Sequence, residues 1–425
     1  MNIPQLDLPR VVIIGGGFAG LKMARKINTK HVQLVLIDQN NFHTFQPLMY
    51  QVATAGLEPD SIAYPLRKIL KRKKNTHIRM AHVSRINSDK KCLETSIGEL
   101  SYDYLIIATG AVTNYFGNDK IQELSMPMKT LTESLNLRSL VLQNFEKSLT
   151  KTNIEEQDEL MNFVIVGAGP TGVELAGALS ELKKHILPTD FPDLDIRRMQ
   201  IHLIEAAPKV LNPMSEKSSL KATKFLKDMG VNVWTSTMVE DYDGTTVKTS
   251  KENFKTKTLI WAAGVAADFP KGLEDLELVG GRIPIDEIGR VPGFDNVFAI
   301  GDVATHVSEK NPRGLPMLGS VAQQQGEALA KNLKALVQGK ATKNFKYKDK
   351  GTMATIGRNK AVVDLPRYTF GGFFAWMTWM FVHLMLLVDF RSRLVVLVNW
   401  VWSYINFDRG TRLIVRRYNK KTSAT

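Results

Sequence analysis

Two short glycine-rich turns hold the first residues in this chain whose types and spacing could do chemistry. Gly15-Gly16-Gly17-Phe18-Ala19-Gly20 follows the apolar run Val11–Ile14 and opens a helical pattern from Phe18 to Asn28. Gly15 permits a tight turn, Gly17 lets a pyrophosphate approach the backbone, and Gly20 lets helix and strand pack closely, while the helix N-terminus offers amides and a positive dipole. Asp38 follows the next apolar run, Val32–Ile37, where a carboxylate can accept both hydroxyls of an adenosine ribose. The second turn, Gly167-Ala168-Gly169-Pro170-Thr171-Gly172, lies between Phe163–Val166 and a helical stretch Gly172–Lys184; Glu205 follows Ile201–Ile204. A carboxylate at Glu205 repels a 2′-phosphate and favours NADH over NADPH, with the nearby Lys209 pulling the other way. Two such turns imply two dinucleotides.

The elements that must position these residues repeat. The unit strand–glycine turn–helix–strand occurs twice and is the internal repeat of the chain. Tyr104–Thr109 is a further apolar run ending in Ala108-Thr109-Gly110, and a helix-compatible segment follows over Leu131–Lys151. Leu259–Ala263 and Val297–Ile300 read as buried strands, each followed by Gly. The second delivers Gly301-Asp302, where a carboxylate suits a ribityl or phosphate-linked hydroxyl. A helix over Val321–Val337 closes at Gly339. The pattern predicts an α/β fold with two Rossmann-like dinucleotide-binding domains and a C-terminal amphipathic helical module. The expected boundaries are 8–115 with 280–340, then 116–279, then 341–425.

Bulk properties exclude several functions. The chain has 425 residues, a net charge of +14 and one cysteine, Cys92. An intramolecular disulfide, a Cys-x-x-Cys redox pair and a multi-thiolate metal site are thereby excluded. The eight histidines show no ligand spacing, and no metal is expected. Basic residues cluster in Arg67, Lys68, Lys71, Arg72, Lys73 and Lys74, which also reads as a solvated helix face, and in Arg409, Arg412, Arg416, Arg417, Lys420 and Lys421. Such runs meet nucleic acid or an anionic membrane; the apolar segments beside the second favour the membrane, and no nucleic-acid partner is expected. Met1–Arg10 lacks the pattern of a secretory signal, which points to a cytoplasmic location.

The order Gly-x-Gly-x-x-Gly, Ala-Thr-Gly, Gly-x-Gly-x-x-Gly, Gly-Asp resembles the two-dinucleotide flavoproteins, a glutathione-reductase-like superfamily that includes the disulfide reductases. Within it the sequence is most similar to type II NADH dehydrogenase, the single-subunit NADH:quinone oxidoreductase. Asp38–Arg67, with Asn40-Asn41-Phe42-His43 and Phe45–Thr54, carries the resemblance together with Gly167–Leu179, Trp261–Val265 and Phe381–Leu413. It implies that Gly15, Gly17, Gly20, Asp38, Ala108, Thr109, Gly110 and Asp302 hold FAD. It implies that Gly167, Gly169, Gly172, Glu205 and Gly264 hold NADH. Glu174 matches a carboxylate placed near nicotinamide and flavin, although a first-turn acid favoured by the helix dipole reads the same way. The family's Ala-Gln-x-x-x-Gln segment aligns with Ser320 and Gln324: Ser320 stands at the first Gln, a hydroxyl that can still donate one hydrogen bond, and Gln324 at the second. A polar stripe on a surface helix would also account for Gln323–Gln325.

Hydride transfer needs no acid or base from the protein, which sets distance and excludes water. The electrons then need an acceptor. With no cysteine pair, a diffusible two-electron acceptor remains; the resemblance implies a quinone, contacted by Gln46, Gln324, Ser320 and Tyr50, with Glu174 as proton relay. A reductase serving a redox protein partner and a non-catalytic flavin- and NADH-binding sensor at the membrane are the other readings. The last element is the C-terminal stretch. Phe373–Val388 would make about 24 Å of helix, short of a bilayer core of about 30 Å, and His383 interrupts it. In Leu394–Phe407, Asn399, Ser403 and Asn406 form one polar stripe beside apolar and aromatic residues. Such helices lie in the headgroup region. The expectation is a peripheral, monotopic protein on the cytoplasmic face of the inner membrane, its C-terminal arginines on anionic lipid, and a homodimer. A buried hairpin or dimer interface is the other reading of these helices.

Overall fold

The computed structural model describes residues 1–309, 311–407 and 410–419. Six helices recur below: α1 (Phe18–Lys26), α2 (Met49–Ala53), α3 (Pro170–His185), α4 (Gly319–Val337), α5 (Phe373–Leu386) and α6 (Phe390–Asn406). The chain forms two compact units, one of Met1–Thr44, Tyr64–Val112 and Val265–Asp349, the other of Phe45–Ala63, Thr113–Gly264 and Lys350–Thr425. The chain passes from one unit to the other at 112/113 and back at 264/265. Short-range pattern marks strands well, but which unit a linker packs into depends on contacts made far along the chain.

The first unit is built on a five-stranded parallel sheet ordered Val297–Ala299, Tyr104–Ile107, Arg10–Ile14, Gln33–Asp38, Thr76–Met80. Val12 pairs with Val35 on one side and Leu105 on the other. Arg10–Ile14 is buried at every residue, as a strand covered on both faces must be, which is why its sequence reads as a continuous apolar run. Helices α1 and α4 pack together so closely that a Cβ at Gly326 would collide with the Ala19 carbonyl oxygen. A three-stranded antiparallel sheet (Val83–Asn87, Cys92–Thr95, Leu100–Ser101) lends Val83, Ile86, Leu93 and Leu100 to a core shared with Val12, Val35 and Ile107.

The second unit repeats this plan. Its parallel sheet runs Met126–Pro127, Thr258–Trp261, Phe163–Val166, Ile201–Ile204, Asn232–Trp234, and a second antiparallel triplet (Val239–Tyr242, Thr246–Thr249, Phe254–Lys255) closes one core with Val164, Ile204 and Leu259. The duplication is therefore larger than a strand–helix–strand motif: it includes sheet order and the added antiparallel sheet.

From Lys350 onward the chain packs into this second unit. A third antiparallel sheet, Thr352–Gly357, Lys360–Asp364 and Thr369–Gly371, precedes α5 and went unread in the sequence. Its hairpin turns at Arg358-Asn359, with Asn359 at φ 63°, a left-handed conformation Asn tolerates well. The first strand lies directly on α3, because Gly177 offers no Cβ to meet the Ile356 carbonyl. Asp364 fixes the sheet to the N-terminus of the helix Glu216–Asp228, accepting from the Ser215 amide (2.6 Å), the Ser215 hydroxyl (2.9 Å) and the Ser218 hydroxyl (2.6 Å).

Among the described residues no helix is long and apolar enough to cross a membrane. The amphipathic character of α6 is real, but it faces the other way from a helix on a water-soluble surface. Ser392, Val396 and Trp400 are buried, Asn399 donates to Glu58 (3.0 Å), and Phe390, Leu394, Val398, Val401, Trp402 and Ile405 are exposed. On α5, Ala375, Trp379 and His383 turn inward, while Phe374 and Phe381 are exposed. One expectation changes: Arg412, expected on lipid, pairs with Asp190 at 2.7 Å. The tail is pinned again where Tyr418 exchanges backbone hydrogen bonds with the Gln143 amide (2.7 and 3.0 Å). Arg409, Lys420 and Lys421 lie outside the described residues.

Candidate nucleotide cradles and a buried carboxyl

Gly15 and Gly167 sit at φ 104° and 99°, and a Cβ on either would strike the carbonyl of Ala108 or Ala262 in the neighbouring strand. A Cβ at Gly20 or Gly172 would strike the carbonyl oxygen of Gly15 or Gly167. Gly17 and Gly169 differ in kind. Nothing lies within 4 Å of where their Cβ would be, and neither helix carries a side-chain cap at its N-terminus. Each turn thus leaves open space in front of uncapped helix amides, which is what a pyrophosphate needs. A dinucleotide fits both.

The carboxylates repeat as well. Asp38 accepts from the amides of Gly16 (2.6 Å) and Asn40 (2.7 Å); Glu205 accepts from Ala168 (2.7 Å) and Ala207 (2.8 Å). Each ties the strand end to its glycine turn and keeps lone pairs for ribose hydroxyls. Burial pushes the Asp38 carboxyl up, with the two amides opposing it. His43 supports the first turn, its Nδ1–H donating to the Gly16 carbonyl (2.9 Å) while Phe18 meets its ring edge-on. Burial holds that imidazole below its ordinary value.

The remaining expected contacts vary. Ala108 is buried beneath Gly15, and the Thr109 hydroxyl donates to the Asp268 carbonyl. Gly110 has open space at its Cβ position, whereas Phe116 lies 3.3 Å from that of Gly264. Asp302 is half-buried at a turn fixed by two residues the sequence did not single out. Gln325 accepts the Gly301 amide (2.7 Å), and the Arg282 guanidinium donates to the carbonyls of Asp302, Ala304 and Leu315.

Glu174 lies one turn beyond the cradle on α3, past the first turn where the helix dipole would explain it. It is 8% exposed, and its contact with the Thr355 amide is long at 3.4 Å. Burial pushes its carboxyl up to about 8, opposed weakly by that amide and by the nearby Trp379 indole. The group is protonated at neutral pH and can hold and give a proton. It lines a cavity of about 120 Å³ floored by the indoles of Trp376, Trp379 and Trp400. Gln51 bridges two of its walls, donating to the Tyr50 hydroxyl (2.8 Å) and accepting from the Trp400 indole (2.8 Å).

Of the residues expected at the quinone end, Tyr50 shares this cavity with Glu174. Gln46 is exposed in the short turn Gln46–Leu48 and lies outside the lining. Ser320 meets the Tyr347 hydroxyl at 3.0 Å, and Gln324 exchanges two hydrogen bonds with the Lys348 backbone, both 3.0 Å. Asn332 does the same with Lys343 (2.8 and 2.9 Å), so an extended strap over 343–348 is stapled along α4. Gln51, Trp379, Glu181 and His185 were missed as lining residues. A signal for the last two was available: Glu174, Ala178, Glu181 and His185 recur at spacings of four, three and four along one face of the helix. Among the described residues no cluster of three or more His, Cys, Asp or Glu could hold a metal ion.

Residues 9–326 match the family described as Pyridine nucleotide-disulphide oxidoreductase, and residues 350–409 match the NDH2 C-terminal domain. The type II NADH:quinone oxidoreductase Ndh of Mycobacterium tuberculosis is 35% identical over 422 residues, covering 94% of this chain and 89% of that protein. The type II NADH:quinone oxidoreductase of Staphylococcus aureus is 29% identical over 371 residues, covering 84% and 89%. Among solved structures, NDH2 from Plasmodium falciparum in complex with NADH has the same fold, with a TM-score of 0.88 at 22% identity over 96% of this chain and 100% of that one. The fold extends to the sulfide:quinone oxidoreductase of Aquifex aeolicus, with a TM-score of 0.71 at 18% identity over 91% of each chain. Matched over three quarters of its length by one family and over nearly all of it by close relatives, the chain belongs to the type II NADH:quinone oxidoreductases.

Proposed function

We propose that this protein oxidises NADH and reduces a membrane quinone, with the first unit holding FAD, the second holding NADH, and Glu174 serving the quinone end. The chain is an NADH:quinone oxidoreductase, and its cofactors are FAD and NADH. When bound, FAD supplies the two-electron relay between nicotinamide and quinone. The cradle at Gly15, Gly17 and Gly20, with Asp38, Ala108, Thr109, Gly110 and Asp302, holds it. Gly167, Gly169 and Gly172, with Glu205 and Gly264, hold NADH, and the Glu205 carboxylate disfavours a 2′-phosphate. The boundaries 8–115 with 280–340, 116–279 and 341–425 describe these nucleotide roles and the C-terminal segment.

The observation that carries the quinone assignment is the pairing of a carboxyl protonated at neutral pH with an aromatic-floored cavity. A flat, apolar ring with two carbonyl oxygens suits indole walls and a few convergent donors. Glu174 holds the proton, Tyr50 and Gln51 offer hydroxyl and amide, and the indoles offer flat apolar walls. The resemblance adds Ser320, Gln324 and Gln46 as further quinone contacts. Purified protein mixed anaerobically with NADH and then with a short-chain quinone tests the whole reading. The flavin band is expected to bleach and return, with Glu174→Gln slowing the return about a hundredfold and leaving flavin content unchanged. A band that never bleaches removes the activity; a wild-type return in Glu174→Gln removes the carboxyl's role.

The apolar outer face of α5 and α6 supports a monotopic seat in the headgroup region of an anionic bilayer, on the cytoplasmic side where NADH is available. Arg391, exposed at the start of α6, supplies positive charge on that helix. Co-sedimentation with anionic vesicles, lost in Phe374→Ser with Phe390→Ser, is expected. Retention of the double variant in a dimer, with no vesicle binding by either form, would instead make this face a subunit interface.

A further inference from the structure

We propose that one face of α3 is the route by which solvent protons reach Glu174, passing His185 and then Glu181. The inference rests on the role given to Glu174 above. The balance NADH + H⁺ + quinone → NAD⁺ + quinol draws one proton from water for each electron pair: the nicotinamide gives two electrons with one hydrogen, and the quinol gains two hydrogens. Glu174 is too deeply buried to take that proton directly from bulk water.

Glu174, Ala178, Glu181 and His185 lie along one face of α3, and all four line the same cavity. Exposure rises along the stripe: Glu174 and Ala178 are buried, Glu181 is half-buried and His185 is exposed. At a rise of about 1.5 Å per residue, Glu174 and Glu181 stand roughly 10 Å apart along the helix, and Glu181 and His185 roughly 6 Å. The first gap is too long for a direct hydrogen bond. It falls where Ala178 contributes only a methyl group, and a cavity of about 120 Å³ holds several waters.

Both outer residues are held in place. Glu181 Oε1 accepts from the Arg358 amide at 2.7 Å, and the His185 ring stacks on Phe407 with centroids 4.1 Å apart. The Arg358 guanidinium lies 4.0 Å from the Tyr404 ring and 3.8 Å from that of Phe407, a fixed cation at the outer end. The titratable and charged groups lining the cavity are Glu174, Glu181 and His185 from α3, Tyr50 from α2, Arg358 from the hairpin and Tyr404 from α6; α5 contributes Trp376, Trp379 and Met380. A carboxyl and an imidazole are side chains suited to pass protons near neutral pH.

The test uses the full-length protein with its flavin bound. Glu181→Gln keeps the size and the acceptor for the Arg358 amide and removes only the titratable oxygen. The return of the flavin band with quinone is expected to slow about tenfold, with a larger solvent deuterium effect and an altered pH profile. Bleaching by NADH stays as in the wild type, and Glu181→Asp restores part of the rate. His185→Gln slows the same step less, and added imidazole rescues it. Lys184→Gln, an exposed charge beside the stripe, changes neither step. Should Glu181→Gln lose flavin, Ala178→Met fills the water space instead and is expected to slow the quinone step alike. A wild-type quinone rate and pH profile in Glu181→Gln, or in Ala178→Met, overturns the route. When that result accompanies a slow Glu174→Gln, only the route fails; when Glu174→Gln is also unchanged, the role of Glu174 fails first.

Discussion

The two glycine turns are near copies, and the helices that leave them are not. In both, a residue at positive φ tucks under a neighbouring strand, a third glycine meets the first one's carbonyl, and a strand-end carboxylate accepts the amide of the turn's second residue. Beyond the turn, α1 runs only nine residues and buries Ala19, Leu21, Met23 and Ala24. Helix α3 runs sixteen, and carries Glu174, Glu181 and His185 into a cavity. Cradle geometry is forced by what a pyrophosphate and a close helix–strand contact require. The helix past its first turn is under no such demand, and that is where the second copy carries a buried carboxyl the first lacks.

The comparison breaks most easily at the third glycines. Gly20→Ala and Gly172→Ala each drive a methyl group into the carbonyl of the first glycine, with no flexible side chain to yield. Because the turns are alike, the structural insult is alike, and a cost of about 3 kcal/mol is expected for each. The consequences separate. Gly20→Ala is expected to purify without flavin; Gly172→Ala keeps flavin and raises the KM for NADH about a hundredfold. Absorbance at the flavin band and initial rates against NADH decide it. Full flavin in Gly20→Ala, or flavin loss confined to Gly172→Ala, reverses the assignment of the two nucleotides.

Much of the two cradles was legible because their determinants are local. Phe163–Val166 and Ile201–Ile204 were read with the bounds they have, since a doubly covered parallel strand must be a short apolar run between turn residues. The C-terminal sheet was not legible. Thr352–Gly357 alternates weakly, its turn lacks an Asn-Gly pair, and its partner across the interface is a glycine on a helix far back in the chain. The polar stripe on α6 was legible at Asn399, Ser403 and Asn406, but not the direction it faces. Periodicity shows which residues share a face, and only Glu58, reached through Asn399, shows that this face turns inward. The Gln323–Gln325 run shows the same limit. Gln325 is buried on the Gly301 amide and Gln324 is occupied by Lys348, a division set by the packing of α4 and invisible in three identical letters.

Two buried polar side chains then sharpen the contrast between the units. Gln325 is satisfied by a good hydrogen bond; Glu174 is not, its one amide contact being long. Glu174 has a folded-state value raised to about 8 from an ordinary 4.5. Its protonated form therefore contributes stability fully below about pH 4.5, and that contribution is lost as pH rises towards 8, at up to about 1.4 kcal/mol per pH unit. Glu174→Gln cannot ionise and escapes the loss. Melting temperatures of wild type and Glu174→Gln measured from pH 5 to pH 9 are expected to diverge upward through pH 8, the variant becoming the more stable and then holding a constant lead. Parallel curves would mean that the carboxyl is hydrated or paired in solution, and the case for a stored proton would go with it.

The smallest effect belongs to Gln325→Leu, which tests the other half of the contrast. Removing the acceptor leaves the buried Gly301 amide without a partner, at a cost of about 1–3 kcal/mol. Since neither group titrates, that loss is expected at every pH, with no divergence from wild type in the melting curve and no change in the pH profile of quinone reduction. Weaker flavin retention should accompany it, because Gly301-Asp302 is the turn that Gln325 holds. A buried amide with a short hydrogen bond thus shows itself as a uniform loss of stability, and a buried titratable group as a stability that gives way with pH. If Gln325→Leu altered the pH profile instead, the buried amide would be coupled to the proton chemistry, and satisfaction of hydrogen bonds would no longer separate scaffold from site in this fold.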